Sequence, residues 1–332
     1  MSQSRRRSEK PPAALSPFDK SRRDFLKGAA TAAAGLMAAG ATASPAGALL
    51  PTVPFGPHRI SKMIVGSNPL YGYSHFNGLL DQLMVEYFTD DRTVQFLLDC
   101  EKSGINTWQS NFKERTRTQY RRMREAGCKV NWICLADPWD VNRKAQAPEE
   151  IQAAMMEAVN RAAPHKPIGI AHHGGGTDLL FRQGRLDLIQ TFINKVHDLG
   201  YMAGISTHNP RVVEAVEEKG WKNDFYMTCF YRVTRLPEDF EKEWGVVPVG
   251  ETYLASDPPL MGKMIRQVSK PCLGFKILAA GRKCESPEDI RAAFAFAFQN
   301  IKPTDAVIVG MFPKFSDHIR ANTAIVRELI PA

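Results

Sequence analysis

The chain is poor in several features that mark particular protein classes. It has six cysteines scattered over 332 residues, and none of them form a CxxC pair. A core of this size needs no disulfide framework, so we expect buried or free thiols, with a single Cys100–Cys128 bridge as the alternative. Beyond residue 48 there is no apolar run long enough to cross a bilayer, which predicts no membrane span in the mature protein.

Most of the chain also lacks an excess of either positive or negative charge. The formal net charge is +8, but the first 48 residues alone contain eight Lys and Arg against three Asp and Glu. The rest of the chain is therefore nearly balanced. Its densest charged stretch, Arg115 to Arg124, is typical of the solvated face of a helix. This distribution argues against a nucleic-acid partner.

The N-terminal segment carries most of the basic charge. Residues 21–27 read Ser-Arg-Arg-Asp-Phe-Leu-Lys, and a weakly apolar Ala/Gly-rich stretch follows them. This pattern resembles a twin-arginine signal, a leader for proteins exported already folded. The resemblance implies that the export machinery binds Arg22 and Arg23 and that the mature protein is periplasmic or secreted.

The boundaries of this leader follow from its small residues. Ala-Thr-Ala ending at residue 43 and Ala-Gly-Ala ending at residue 48 both suit a signal peptidase. We therefore assign residues 1–48 to a signal and disordered leader, and residues 49–332 to a single folded domain.

The body of the chain alternates short apolar runs with longer amphipathic ones. The runs are continuous rather than alternating, which is typical of buried parallel strands. The predicted strands are Ile60–Ser67, Ile105–Gln109, Val130–Ala136, Pro167–His172, Met202–Thr207, Phe225–Tyr231, Leu273–Leu278 and Ala306–Met311. The predicted helices are Arg92–Ser103, Arg115–Glu125, Glu149–Ala162, Leu186–Leu199, Pro210–Glu217, Pro258–Val268, Pro287–Asn300 and Ser316–Leu329. Eight strand–helix repeats predict an α/β fold of the (β/α)8 TIM-barrel type, with an open doubly wound sheet as the alternative.

A barrel of this kind carries its function where the strands end and the following loops begin. Two of these loops, residues 68–90 and 232–257, are long enough to be lids or binding loops. Polar side chains gather at the predicted strand ends. The substrate-binding candidates are Asn68, Trp108, His173, His208, Arg232, Glu251 and Arg282.

The catalytic candidates are His172, Lys276 and Asp137. His172 ends the fourth strand just before His173, and only one of two adjacent strand residues can face the barrel axis. A structural His pair bonded to the backbone is the alternative. His172, His208 and Asp137 together form a second alternative, a zinc or iron site, because imidazole and carboxylate suit these metals.

Lys276 is the sole charge in its apolar strand. A buried lysine has a lowered pKa and can act as a base or as a Schiff-base nucleophile. The competing interpretation is a structural lysine paired with an acid such as Glu251.

The order of motifs resembles the aldo/keto reductase superfamily. The strand end Gly-Ile-Ala-His-His is similar to the one that bears that family's catalytic His, which would place this role on His172. The stretch Gly-Ile-Ser-Thr-His-Asn resembles the family's Gly-Val-Ser-Asn strand end, and Val-Ile-Val-Gly-Met resembles its last strand. The resemblance implies NADPH as cofactor, with Lys314 and Asn322 near its adenosine phosphate.

The same comparison shows departures from the family pattern. Asn106 stands where the family's Asp is expected, no Tyr occupies the following loop at the expected place, and the third strand ends without the Lys. Since the Tyr is the proton donor and the Lys tunes it, this chain is not expected to be an ordinary carbonyl reductase.

The sequence thus favours an exported barrel enzyme that acts on a small polar substrate, sugar-like or a hydroxy-carbonyl compound, with NADP-linked redox chemistry as one version. A metal-dependent hydrolase, isomerase or lyase and a non-catalytic periplasmic binding protein are the alternatives.

Overall fold

The eight apolar runs of the sequence form one closed ring of strands. The structure is a computed structural model, and it describes residues 48–331. Its strands are β1 (Thr52–Phe55), β2 (His58–Ser61), β3 (Met63–Gly66), β4 (Thr107–Asn111), β5 (Asn131–Ala136), β6 (Gly169–His172), β7 (Ala203–Thr207), β8 (Phe225–Cys229), β9 (Cys272–Phe275) and β10 (Ala306–Gly310). Strands β3 to β10 close into a parallel barrel in which β10 pairs with both β9 and β3. The predicted (β/α)8 TIM barrel is confirmed.

Helices follow the barrel strands and surround them. They are α1 (Gly78–Tyr87), α2 (Asp90–Lys102), α3 (Glu114–Glu125), α4 (Pro138–Val141), α5 (Pro148–Ala162), α6 (Gly174–Arg182), α7 (Asp187–Asp198), α8 (Pro210–Glu218), α9 (Pro237–Trp244), α10 (Asp257–Gln267), α11 (Pro287–Asn300) and α12 (His318–Leu329). All eight predicted helices are present. The expected leader, with Arg22 and Arg23, lies outside the described residues.

Four helices were not predicted from the sequence, namely α1, α4, α6 and α9. Two of them, α1 and α9, lie inside the stretches interpreted as long loops. The third, α6, begins with three glycines, which are poor helix formers. Tertiary contacts therefore override local propensity at these places.

The barrel interior is a small apolar core of its own. Alternate residues of the strands point inward, and the others pack against the surrounding helices. The buried members of the inner cluster are Val53, Phe55, Ile60, Ile64, Ile133, Leu135, Ala171, Phe225, Met227, Leu273, Ala306 and Ile308. This alternation decides which residues at the strand ends face the axis.

An antiparallel hairpin closes the N-terminal end of the barrel. The predicted first strand, Ile60–Ser67, divides in two, because Ile60 belongs to the hairpin strand β2 while Met63 begins the barrel strand β3. At the break the Ser61 hydroxyl donates to the Met63 carbonyl at 2.6 Å. Phe55 of β1 enters the barrel and meets the Phe225 ring edge-on, with centroids 4.8 Å apart.

Asn106 belongs to this closed end and not to the mouth. Its Oδ1 accepts from the Ser61 backbone N–H at 2.7 Å, and its Nδ2 donates to the Arg59 carbonyl at 3.0 Å. The motif comparison matched Asn106 to a catalytic Asp, but here the side chain fastens the hairpin. That correspondence is wrong because Asn106 precedes β4 instead of ending it.

Ala48 is tied to the last helix of the barrel. The Arg327 guanidinium of α12 donates to the Ala48 carbonyl at 2.7 Å. Among residues 48–331 the cysteines are all free, including Cys100 and Cys128, so the alternative disulfide is not formed. No helix in this part of the chain is long and apolar enough to cross a membrane.

The hairpin plug gives a first testable prediction. Phe55 is fully buried, and Phe55→Ala should lower the free energy of unfolding by about 3–5 kcal/mol because it leaves a cavity in the barrel core. Urea unfolding measures the loss. The matched control is Phe315→Ala, at a ring that is 76% exposed, which should change stability by about 0.5 kcal/mol at most. Equal effects for the two variants would contradict the role of the plug.

Candidate active site

The carboxyl ends of the barrel strands place a group of polar side chains at the axis. Leu135, Ala171 and Met227 point into the barrel. Two residues further along each strand, the alternation brings Asp137, His173 and Cys229 to the same side. His208 joins them from β7. The mouth therefore holds two imidazoles, a carboxylate and a thiol.

His172 lies on the outer side of its strand. It is fully buried, its ring meets the Phe192 ring of α7 edge-on at 5.2 Å, and its Nδ1 shares a hydrogen bond of 2.8 Å with the Thr177 hydroxyl. Burial lowers the pKa of His172 to about 3, helped by the nearby His173. A neutral ring packed among helices does not suit the predicted catalytic role, and His173 is the member of the pair that faces the axis.

His173 sits near the predicted candidate Asp137. The His173 Nδ1 is 3.7 Å from the Asp137 Oδ2, and the atom has no hydrogen-bond partner. Asp137 also caps α4 by accepting from the Trp139 backbone N–H at 3.0 Å. Burial lowers the pKa of His173 in spite of the attraction of Asp137, and His208 lowers it further. About a third of the side chain, 33%, is still exposed, so His173 can meet a ligand in its neutral form.

His208 is held by a buried carboxylate that sequence reasoning missed. The His208 Nδ1 lies 2.9 Å from the Asp178 Oδ2, and the His208 backbone N–H donates to the same oxygen at 3.0 Å. The hydroxyls of Thr207 and Thr234 also donate to Asp178, at 2.5 and 2.9 Å. Because the Asp178 oxygens accept all of these hydrogen bonds, the imidazole donates from Nδ1 and leaves Nε2 free.

The glycine triplet 174–176 permits this arrangement. A Cβ added to Gly174 would lie 2.9 Å from the His208 Cε1 and 2.9 Å from the Ser206 Oγ. Any side chain at this position would therefore displace the His208 ring. The triplet starts α6, and that helix brings Asp178 under β7.

Lys276 directly follows β9 at the mouth. Its Nζ is buried and has no hydrogen-bond partner, so the expected pairing with Glu251 is not formed. Burial lowers the pKa of Lys276, while Cys229 and Glu251 oppose this effect and Arg282 adds to it. Burial also raises the pKa of the Cys229 thiol to about 12, against the attraction of Lys276. Cys229 therefore stays protonated beside a lysine whose pKa is lowered.

The two long loops meet over the mouth through His75. The His75 Nε2 is 3.0 Å from the Asn68 Nδ2, and its Nδ1 is 3.1 Å from the Glu251 Oε1. The Tyr253 hydroxyl donates to the other Glu251 oxygen at 2.6 Å. Arg282 donates to the His75 carbonyl at 3.2 Å and lies 4.1 Å from the centre of the Tyr253 ring. We call these five residues the loop latch.

The loop latch brings together three predicted residues, Asn68, Glu251 and Arg282, through His75, which is not among the predicted site residues. Burial alone would raise the pKa of Glu251, but the His75 hydrogen bond and the charge of Lys276 lower it to about 2. Burial and the bond to Glu251 raise the pKa of Tyr253. Glu251 is therefore an anion that holds both loops.

Other predicted residues lie outside this group. Trp108 is fully buried in mid-strand on the outer side of the barrel. Arg232 reaches only Asp239, at 3.9 Å, while its neighbour Arg235 forms the buried ion pair with Asp257. Of the predicted cofactor residues, Lys314 lies in the connection that follows β10 and Asn322 lies in α12. Lys314 lies 5.8 Å from the centres of the Tyr87 and Phe315 rings, and Asn322 is buried in α12.

The metal-site alternative requires His172, His208 and Asp137 to converge. His172 points outward while the other two face the axis. Within residues 48–331 no three His, Cys, Asp or Glu side chains come close enough to hold a metal ion. The donor geometry therefore does not fit this alternative.

The loop latch gives a second testable prediction. Glu251→Gln removes the charge that holds His75, and we expect the closed loops to lose about 1 kcal/mol, a roughly fivefold more frequent opening. Hydrogen exchange by mass spectrometry should show faster exchange in residues 68–77 and 245–256. Since the pKa of Glu251 is lowered from 4.5 to about 2, the stabilisation is complete above pH 4.5 and is lost as the pH falls through 2.

The matched control for this variant is Glu241→Gln, at an exposed carboxylate of α9. This substitution also removes one carboxylate charge from the loop of residues 232–257, but it does not affect the hydrogen bond to His75. If hydrogen exchange in both loops of Glu251→Gln stayed at the wild-type rate, the role of the loop latch would be refuted.

Comparison with solved structures supports the fold. A protein of Pseudomonas aeruginosa assigned as an aldo-keto reductase superimposes with a TM-score of 0.54 at 16% identity, over 86% of this chain and 99% of its own. An aldo/keto reductase of Brucella melitensis has a TM-score of 0.40 at 13% identity, over 84% and 99% of the two chains. A sugar phosphate isomerase/epimerase of Parabacteroides distasonis has 0.43 at 9%, over 88% and 96%.

No protein-family model matches the sequence, and no curated protein matches it either. At such low identities, similarity to solved structures shows the fold alone. The chain is thus similar to aldo-keto reductases as a (β/α)8 barrel, and its chemistry has to be argued from its own residues.

Proposed function

We propose that this chain is an exported enzyme on an aldo-keto-reductase-like barrel with a rebuilt active site. It moves a proton at the carbon next to a carbonyl group in a small polar substrate, a sugar-like or hydroxy-carbonyl compound. The observation that carries the proposal is His208, which the buried Asp178 fixes at the barrel mouth with 2.9 Å between Nδ1 and Oδ2.

The roles of the mouth residues follow from their protonation. With its proton on Nδ1, His208 offers the Nε2 lone pair as a base, and Asp178 stabilises the imidazolium that forms. His173 faces the same space, and its position near Asp137 suits a group that exchanges the second proton. Lys276 would donate a hydrogen bond to the enolate oxygen that develops as the proton leaves.

This chemistry accounts for the departures from the reductase pattern. Proton transfer of this kind needs a base, an acid and a hydrogen-bond donor to the developing oxyanion, and the mouth has candidates for each. The redox version depends on a Tyr and a Lys that the sequence lacks at the matched positions.

The third testable prediction is the loss of proton exchange in His208→Gln. The mature protein is incubated in D2O with glyceraldehyde, dihydroxyacetone, xylose or glucose, and deuterium uptake next to the carbonyl is followed by NMR. Removal of the base should slow the exchange by about 100-fold or more. Gln keeps a polar side chain of similar size beside Asp178.

The matched control is His197→Gln. His197 also pairs with a carboxylate, Asp224 at 2.8 Å, but from α7 on the outside of the barrel, so it should leave the exchange unchanged. Exchange at the wild-type rate in His208→Gln would contradict the proposal. Saturable binding without exchange would favour the binding-protein alternative, and consumption of NADPH with a carbonyl substrate would favour the redox version.

Export is part of the proposal and has its own test, the fourth prediction. Arg22→Lys together with Arg23→Lys keeps the charge but removes the planar guanidinium donors, and we expect the precursor to stay in the cytoplasm of a Gram-negative host. Cell fractionation measures this. The matched control changes Arg6 and Arg7 to Lys in the same leader, outside the signal motif, and should export normally. Export of the first variant at the wild-type level would argue against twin-arginine transport.

A further inference from the structure

Lys276 differs from the other lysines that lie within the fold. The Lys62 ammonium, at the closed end of the barrel, donates to the carbonyls of Pro303 and Asp305 at 2.7 and 2.8 Å. Lys270 donates to the Glu217 carboxylate at 2.6 Å. The Lys276 Nζ has no such partner although it is buried. Lys62 and Lys270 stabilise the fold through their hydrogen bonds, whereas Lys276 forms none.

An unpaired ammonium in this place is costly, because it has lost its water and gained no acceptor. The neutral amine costs much less. Burial is the largest influence on the pKa of Lys276 and lowers it; Cys229 and Glu251 oppose this effect, and the Arg282 guanidinium adds to it. A neutral amine at the carboxyl end of a barrel strand is a nucleophile.

The backbone at Lys276 is also unusual. Its φ is +59°, and Ala279 and Ala280 in the same turn have φ of +49° and +51°. Residues with a Cβ rarely adopt this conformation, because the Cβ then lies too close to the following carbonyl oxygen. Strained backbone of this kind gathers at functional sites, where it directs a side chain. Here the turn follows β9 at once and keeps Lys276 beside Cys229 and Glu251.

We propose that the Lys276 amine attacks the carbonyl carbon of the substrate and forms a covalent iminium. The C–N bond forms as the C=O bond breaks. Overall, the neutral amine, the carbonyl compound and one proton from solvent give a protonated iminium and one water, with no change of oxidation state. This inference deepens the proposed function, since it rests on the same mouth and on a carbonyl substrate.

The iminium would make the work of His208 easier. Its positive nitrogen draws electrons from the neighbouring carbon, so the proton there becomes more acidic than beside a free carbonyl. The substrate class is thereby narrowed to aldehydes and ketones. Because the Nζ is buried, its surroundings must move before a substrate can reach it.

The fifth prediction is that Lys276 can be trapped by reduction. The mature protein is incubated at neutral pH with glycolaldehyde or dihydroxyacetone and sodium cyanoborohydride, and the modified lysines are located by peptide mass spectrometry. We expect labelling at Lys276 to exceed that at Lys283, which is exposed on the same turn, because each unit of lowered pKa gives about tenfold more free amine. Lys62, buried but bonded, is the second internal control and should stay unlabelled.

Since the wild-type protein carries its own controls, the result does not depend on the folding of a variant. Lys276→Arg supplies a further check, because it should lose the label at this site only. Labelling of Lys276 no greater than that of Lys283 would overturn the proposal.

The same measurement on His208→Gln separates this proposal from the proposed function. Trapping at Lys276 with normal deuterium exchange in that variant would support the nucleophile and refute the role of His208. Exchange that depends on His208, without trapping, would refute the nucleophile and leave the proton transfer standing.

Discussion

One buried carboxylate, Asp178, holds the mouth of the barrel together. It lies on α6 and accepts hydrogen bonds from the end of β7 and from Thr234 in the connection after β8. A carboxylate with 3% of its side chain exposed is tolerated only because several donors surround it. The same donors fix the His208 ring. The stability of this end of the barrel and its proposed chemistry therefore depend on one group.

The fold could be predicted because its strands leave a strong pattern. Each barrel strand is an apolar run bounded by polar residues, and glycines such as Gly104 and Gly200 end the preceding helices with positive φ. The hairpin β1–β2 was missed because β2 continues into the apolar run of β3 without a visible break. The helices α1 and α9 were missed because they lie in long connections that are stabilised by tertiary contacts.

The site was harder to predict, and the two adjacent histidines show why. Choosing between His172 and His173 requires the inward or outward sense of β6, which depends on pairing with β5 and β7 and not on local sequence. Asp178 gave no signal, since a carboxylate within a helix usually faces solvent. Lys276 could be selected as a candidate from the sequence because a lone charge in an apolar strand is rare. Asn68, Glu251 and Arg282, predicted as substrate-binding residues, lie close together, but His75, which joins them, was not among the predicted residues.

The ring of strands has a consequence for the order of events in the cell. The barrel closes where β3 pairs with β10, strands that lie near opposite ends of the folded chain. A nascent chain therefore exposes its N-terminal segment long before the last strand exists, and the ring cannot close until synthesis is almost complete. A leader at that end would be available to a translocase while its cargo is still open. If the export route accepts only folded proteins, transport could not begin before β10 has been synthesised, although the leader would be synthesised much earlier.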